Sequence, residues 1–314
     1  MLNSSCGAIN FAMLSPAIKR AESDRFFDPA MLIDPAFWRS LAPQFHIADP
    51  AFYQNVTALD FTPDRQRAVR ELLRTEGYVQ GSADWGVRPD AMAALVRKFS
   101  AANISPVFAF LFDEFWLPFA KLHLVYADIL GASYHLLPDF WVWDVNPQRG
   151  DAGWKPHRDR GRSALLPDGL PISLTTWIPL STATPLNSCM YIVPASRDPT
   201  YGTADENEWR FEYPAIRALP GRPGDYFMWN QAVLHWGSMT SPRGLESRVS
   251  MAFEFQRTDA APFNLPLIPP LTILPFEDRL QLIAKQVLQY RHMYEVDPAI
   301  EQMALELIGS GADS

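Results

Sequence analysis

The chain has 314 residues, 48% apolar and 20% charged, enough to bury a large core and still enclose a pocket. Its formal net charge is −8 with no long basic run, which leaves out the electrostatic footprint of a nucleic-acid binder. Two cysteines, Cys6 and Cys189, build no disulfide framework, and neither a membrane span nor a signal peptide is legible, so the expectation is a cytoplasmic protein.

Residues 1–60 are dotted with proline and aromatics, among them Phe37, Trp38, Phe45 and Phe52, and read as an irregular segment packed over something larger. Thr62-Pro63-Asp64 opens a helix: threonine caps it, proline suits its first turn, and Val69, Leu72 and Leu73 give it an apolar face before Gly77 ends it. Tyr78-Val79-Gln80 begins a strand. Residues 89–102 read as a second helix, and 106–130 as one long apolar helix ended by Gly131. From about residue 133 the character changes. Short runs rich in β-branched and aromatic residues, at 134–146, 172–180, 189–193, 225–229 and 248–256, alternate with Gly and Pro turns. That pattern predicts an antiparallel sandwich or jelly roll, mainly β, with flanking helices. A helix returns after Pro275 through about Arg291, and a short one follows Pro298.

Chemistry concentrates in the second half. His157 and Asp159 form H-x-D in WKPHRDRG, and residues i and i+2 of an extended segment point to one side. His235 lies in FMWNQAVLHWGS, between two β-type runs. Two histidines and a carboxylate on one face of an octahedron leave three open positions, the arrangement of non-haem Fe(II) oxygenases, where O₂ and a bidentate co-substrate must both bind. Alone, H-x-D is a weak signal; a surface turn with an Asp–Arg pair is the plainer reading beside Arg158, Arg160 and Arg162. Along RVSMAFEF, Arg248, Ser250, Ala252 and Glu254 share one face. An inward Arg248 would need an acid partner, and a dicarboxylate suits its two-point fork; an exposed, ion-paired strand arginine is an equal reading.

As a set, these stretches resemble the phytanoyl-CoA dioxygenase family of Fe(II)/2-oxoglutarate oxygenases. The resemblance rests on His157-Arg158-Asp159, LTTWIPLSTATPLNSCMYIVPASRDP at 174–199, PGDYFMWNQAVLHWGSM at 223–239 and SRVSMAFEFQ at 247–256. It covers about 60–256. It implies a double-stranded β-helix (jelly-roll, cupin-like) core, expected at 61–275 with packing helices, after an irregular or helical extension at 1–60 and before a helical segment at 276–314. It further implies His157, Asp159 and His235 as iron ligands and Arg248, aided by Ser250, as the anchor of 2-oxoglutarate. The carboxylate of Asp159 favours hydroxylation, desaturation or epoxidation over halogenation, since halogenating relatives carry a small residue there. Trp143 and Asn146 are expected near the co-substrate, and Trp154, Trp236 and His135 near the substrate. The sequence departs from the family pattern in two places: Arg243 lies between His235 and Arg248 as a competing anchor, and Arg197 stands where histidine is usual.

The expected partner is a small molecule, with no nucleic acid and no membrane, in a monomer or homodimer. A zinc hydrolase uses similar ligands, but no Glu flanks either histidine as in HExxH. A non-catalytic cupin-like module would have no reason to keep all four residues.

Overall fold

The computed structural model describes residues 28–294 and 296–310; Cys6 lies outside them. The first described segment is more regular than its composition suggests. Asp-Pro-Ala occurs four times in the chain, three of them in this segment, at 28–30, 34–36 and 49–51, and the fourth at 297–299. Each time the aspartate accepts a bond from the backbone N–H two residues on, and proline takes the first helical position. The results are a 3₁₀ turn at Pro29–Ile33 and helices α1 (Pro35–Leu41) and α2 (Pro50–Tyr53).

Helix α3 spans Pro63–Thr75, capped by Thr62 as expected, and is followed by strand β1 (Tyr78–Ser82) and helix α4 (Pro89–Ala101). The single long helix expected over 106–130 is not formed. The chain instead makes 3₁₀ turns at Pro106–Leu111 and Asp113–Phe115, then α5 (Leu117–Lys121) and α6 (His123–Leu130). Pro106 and Pro118 start new turns because their rings clash with the carbonyl four residues back. The region is buried on almost every side, so its apolar pattern could not reveal the breaks.

The strands that follow are β2 (His135–Val145), β3 (Ser173–Pro179), β4 (Met190–Val193), β5 (Arg217–Leu219), β6 (Asp225–Asn230), β7 (Leu234–Gly237) and β8 (Arg248–Gln256). Helices α7 (Phe276–Tyr290) and α8 (Pro298–Ser310) close the described chain. Five runs were legible; the short β5 and β7 were not, although β7 carries His235. The strands form an antiparallel sheet in the order β1-β6-β3-β8-β2 and a smaller antiparallel sheet β5-β4-β7. Residues 152–157 extend the small sheet through bridges Ala152–Met239 and His157–His235. This is the jelly-roll core.

Alternation along β8 divides the interior. Val249, Met251, Phe253 and Phe255 face the helices and join their aromatic core, while Ala252 belongs to the cluster between the sheets with Trp177, Phe227 and Trp229. Between Leu136 and Phe140, strand β2 carries extra residues relative to β8. The carbonyl of Pro138 and the N–H of Phe140 are satisfied there by the buried amide of Gln286 from α7. Asp139, two residues before Trp141, faces the space between the sheets with it. Among the described residues, no helix is long and apolar enough to cross a membrane.

Candidate active site

Three side chains converge at the mouth of the sandwich. One ligand atom each from His157, Asp159 and His235 lies within 4.8 Å of the others. Asp159 Oδ1 is 3.4 Å from His157 Nε2 and 3.5 Å from His235 Nε2. The backbone explains the meeting. His157 and His235 sit opposite each other, exchanging both N–H···O bonds at 3.0 Å. Close approach of the segment to β7 depends on glycine: a Cβ on Gly153 would lie 2.4 Å from Gly237 Cα, and one on Gly237 2.7 Å from Gly153 Cα.

The proton positions follow from the partners. His157 Nδ1 lies 2.6 Å from the Lys155 carbonyl and His235 Nδ1 3.1 Å from the Val233 carbonyl. A carbonyl only accepts, so both Nδ1 atoms carry a hydrogen and both Nε2 atoms face Asp159, each offering a lone pair when its ring is neutral. The other carboxylate oxygen, Oδ2, accepts from Thr175 Oγ1 at 2.7 Å and Trp229 Nε1 at 3.2 Å. Thr175 accepts in turn from Gln231, which is held by Ser173. Asp159 is therefore oriented before any ligand arrives.

Electrostatics sort the three. Burial pushes His235 down to about 4 against the pull of Asp159, with the charges of His157 and Arg158 adding to the fall. Burial pulls His157 down too, but its bond and charge contact with Asp159 and its bond to Lys155 hold it above the ordinary histidine value. Burial would raise Asp159, yet the two histidines and Thr175 hold its carboxyl well below the usual carboxylate range. One anion and two lone pairs directed at a common point suit a divalent cation.

Arg248 opens β8 opposite Val145, and its side chain reaches the same cavity at 2% exposure. It donates to Ser250 Oγ and lies over the Trp177 ring, its Cζ 5.7 Å from the centroid. No carboxylate forms an ion pair with it among the described residues, and its Nε is buried without a partner. Trp177 Nε1, facing the same cavity, is likewise unpartnered. Burial lowers the guanidinium to about 10. Two unmatched donors around an unpaired buried cation describe a cradle for an acid.

The remaining expectations divide. Trp143 and Trp154 line the cavity, with the Trp154 ring 5.8 Å from that of His157. Ser250 serves through Arg248. Trp236 does not reach the cavity; it stacks on Tyr191 because neighbours in a strand face opposite sides, and its neighbour His235 faces in. Asn146 is spent accepting from Gln148 N, and His135 sits at the far end of β2 opposite Gln256, so neither lines the cavity. Arg243 is exposed in the turn before β8. Of the three arginines beside Asp159, Arg158 pairs with Asp198 at 2.7 Å and Arg160 with Asp139 and Glu254. The sequence reading missed Thr175, Asp139, Arg160 and Tyr290. Only Glu254, on the face shared with Arg248, carried a readable signal.

No curated protein matches the chain. Among solved structures, the non-heme monooxygenase ThoJ in its Ni complex is similar at 13% identity, covering 74% of this chain and 99% of its own, with a TM-score of 0.50. The non-heme alpha ketoglutarate dependent epimerase SnoN from nogalamycin biosynthesis matches at 18% identity over 67% of this chain and 94% of its own, with a TM-score of 0.47. AviO1 from Streptomyces viridochromogenes Tue57 matches at 16% identity over 65% of this chain and 99% of its own, with a TM-score of 0.48. Residues 66–291, the greater part of the chain, match one family along their whole length, and the chain belongs to it: the phytanoyl-CoA dioxygenase (PhyH) family.

Proposed function

We propose that the chain is an Fe(II)/2-oxoglutarate-dependent oxygenase. It hydroxylates, desaturates or epoxidises an aliphatic C–H position of a small organic molecule, a secondary metabolite, with release of succinate and CO₂. The observation that carries this reading is Arg248: a buried guanidinium without an acid partner, in one cavity with two histidine lone pairs and a carboxylate. Membership of the PhyH family supports it.

His157, Asp159 and His235 would hold the iron, and Arg248 with Trp177 would receive the far carboxylate of 2-oxoglutarate. When bound, the iron supplies O₂ activation coupled to decarboxylation of the co-substrate. The chain's own residues set the conditions. Thr175 and Trp229 hold the Asp159 oxygen that faces away from the histidines, which leaves the other oxygen directed at them. The Lys155 and Val233 carbonyls fix both imidazole tautomers. Trp143, Trp154 and Trp229 wall the cavity, exclude water and limit how a C–H group can approach.

The test is anaerobic addition of Fe(II) and then 2-oxoglutarate to the purified protein. A weak visible charge-transfer band is expected in the parent, with loss of at least about 100-fold in 2-oxoglutarate affinity in Arg248→Ala. A parent that binds Fe(II) but gives no band, or an Arg248→Ala variant with unchanged affinity, overturns the reading.

A further inference from the structure

The cavity has two ends of opposite character. Arg248 lies at one. At the other, Asp139 from the β2 bulge and Glu254 from the far end of β8 face the same space. Arg160 reaches both carboxylates, at 3.3 Å from Asp139 Oδ2 and 3.1 Å from Glu254 Oε2. Asp139 is otherwise well satisfied, by Asn264 at 2.8 and 2.9 Å and Gln289 at 2.7 Å. Lys285, the nearby ammonium, is engaged with Asn264 Oδ1 and the Leu265 carbonyl. Glu254 has the weaker set of partners for a buried acid. Burial, and then Asp139 and Asp159, push its carboxyl well above the usual range, which Arg160 and a bond from Gln231 only partly offset.

A divalent ion with Asp159, and a dianionic co-substrate with Arg248, together come to neutrality. At the far end Asp139 has the Arg160 guanidinium and the charge of the Lys285 ammonium, while Glu254 shares only Arg160. Burial favours the neutral form of Glu254 in the empty cavity, and a cation seated beside it would stabilise its carboxylate. The wall beside it is aromatic: Trp143 and Trp154 centroids are 5.3 Å apart, Trp154 and Tyr290 5.1 Å, and Trp141 and Tyr290 5.0 Å. All four rings line the cavity. Aromatic faces beside a carboxylate are a recognition surface for ammonium groups.

We propose that the substrate carries a cationic nitrogen, a protonated amine or quaternary ammonium, seated against the Trp141, Trp154 and Tyr290 rings with Glu254 as its counter-charge. Assigning that nitrogen to the oxidised substrate rests on the oxygenase reading; the preference of the cavity for a cation does not. Arg160 and Asp139 act as positioning residues, holding Glu254 in place and supplying the surrounding charge.

Tryptophan-fluorescence titration of the metal-free protein tests this, with two cations and their neutral isosteres as probes: tetramethylammonium against tert-butanol, and cyclohexylammonium against cyclohexanol. At least one cation should bind about tenfold or more tighter than its isostere. In Glu254→Gln, which keeps the side-chain volume, that margin should fall to about threefold or less. Because Asp159 is common to parent and variant, the difference reports Glu254. Asp139→Asn should narrow the margin less. A Glu254→Gln chain that has lost its fold, judged by circular dichroism, passes the test to Asp139→Asn alone, where an unchanged margin overturns the proposal. Equal binding of cations and isosteres by the parent, no quenching by either cation at millimolar concentration, or an unaltered margin in folded Glu254→Gln also overturns it. Since no iron is present, failure of iron or 2-oxoglutarate to bind would sink the oxygenase reading separately.

Discussion

Two buried arginines lie in this molecule in nearly identical apolar settings and do opposite things. Arg279 of α7 is 1% exposed, its Cζ 5.5 Å from the Trp116 centroid; Arg248 of β8 is 2% exposed, its Cζ 5.7 Å from the Trp177 centroid. Arg279 is fully engaged. It donates to Asp113 at 2.5 Å, to the Leu111 carbonyl at 3.0 Å and to the Leu274 carbonyl at 2.9 Å. Asp113 in turn accepts from Ala48 N, Asp49 N and Tyr53 Oη, tying the N-terminal helices to α7. Arg248 has Ser250 alone. Burial and aromatic contact are shared, so neither distinguishes architecture from function; completeness of hydrogen bonding does. A satisfied buried charge holds elements together, and an unsatisfied one waits for a ligand.

The sharpest way to break this comparison is to remove each charge. Arg279→Ala leaves Asp113 buried without its counter-ion and should cost about 3–5 kcal/mol, the largest effect expected here, seen as a lower urea midpoint. Arg248→Met deletes a charge that had no acid partner. The metal-free protein should hold its stability or gain about 1 kcal/mol, while 2-oxoglutarate binding falls at least about 100-fold. Comparable destabilisation by both changes would mean that Arg248 is architectural too.

A smaller effect sharpens the same distinction one contact further out. Thr175 Oγ1 holds the Asp159 oxygen that faces away from the histidines. Thr175→Val keeps the shape, removes that bond and takes away the oxygen to which Gln231 Nε2 donates at 3.1 Å. Affinity for Zn(II) or Ni(II) should fall about 10–100-fold with the fold intact, read by competition with a chelator. An unchanged affinity would mean that Trp229 alone orients Asp159.

How far the sequence disclosed these differences depends on what each needed. The β-runs and the H-x-D pair were readable because alternation and i, i+2 geometry are local. The inward face of β8 was readable for the same reason, and it already held Arg248 and Glu254 together. The broken 106–130 region was not, since a segment buried all round shows no amphipathic period and its prolines were the only warning. Thr175 reaches the site through register, which is set by pairing between distant segments. Trp236 was misplaced by adjacency, where a strand demands alternation. The Asp-Pro-Ala caps were fully local, and the signal lay in their repetition.

The finest expected effect lies inside the metal site, between its two histidines. Metal binding requires both Nε2 lone pairs. His235, pushed down to about 4, is already neutral across the physiological range and releases no proton there. His157, held above the ordinary histidine value, must give one up. Apparent metal affinity should therefore fall about tenfold per pH unit below the folded-state value of His157 and level off above it. The same shifts act on the metal-free fold with opposite signs. The raised His157 adds stability that is fully present below the unfolded histidine value and lost as pH rises through its folded value. The depressed His235 instead costs stability as pH falls from the unfolded value toward about 4, where the unfolded chain binds a proton that the folded one refuses. The two terms partly cancel near the unfolded value, so metal-free stability should change less there than metal affinity does. Calorimetric Zn(II) titration at several pH values, in buffers of different ionisation enthalpy, counts the protons released. One proton at the acid end, fading to none, fits an unequal pair; two would mean that His157 and His235 are alike and that the ring under deeper burial is not the preformed ligand.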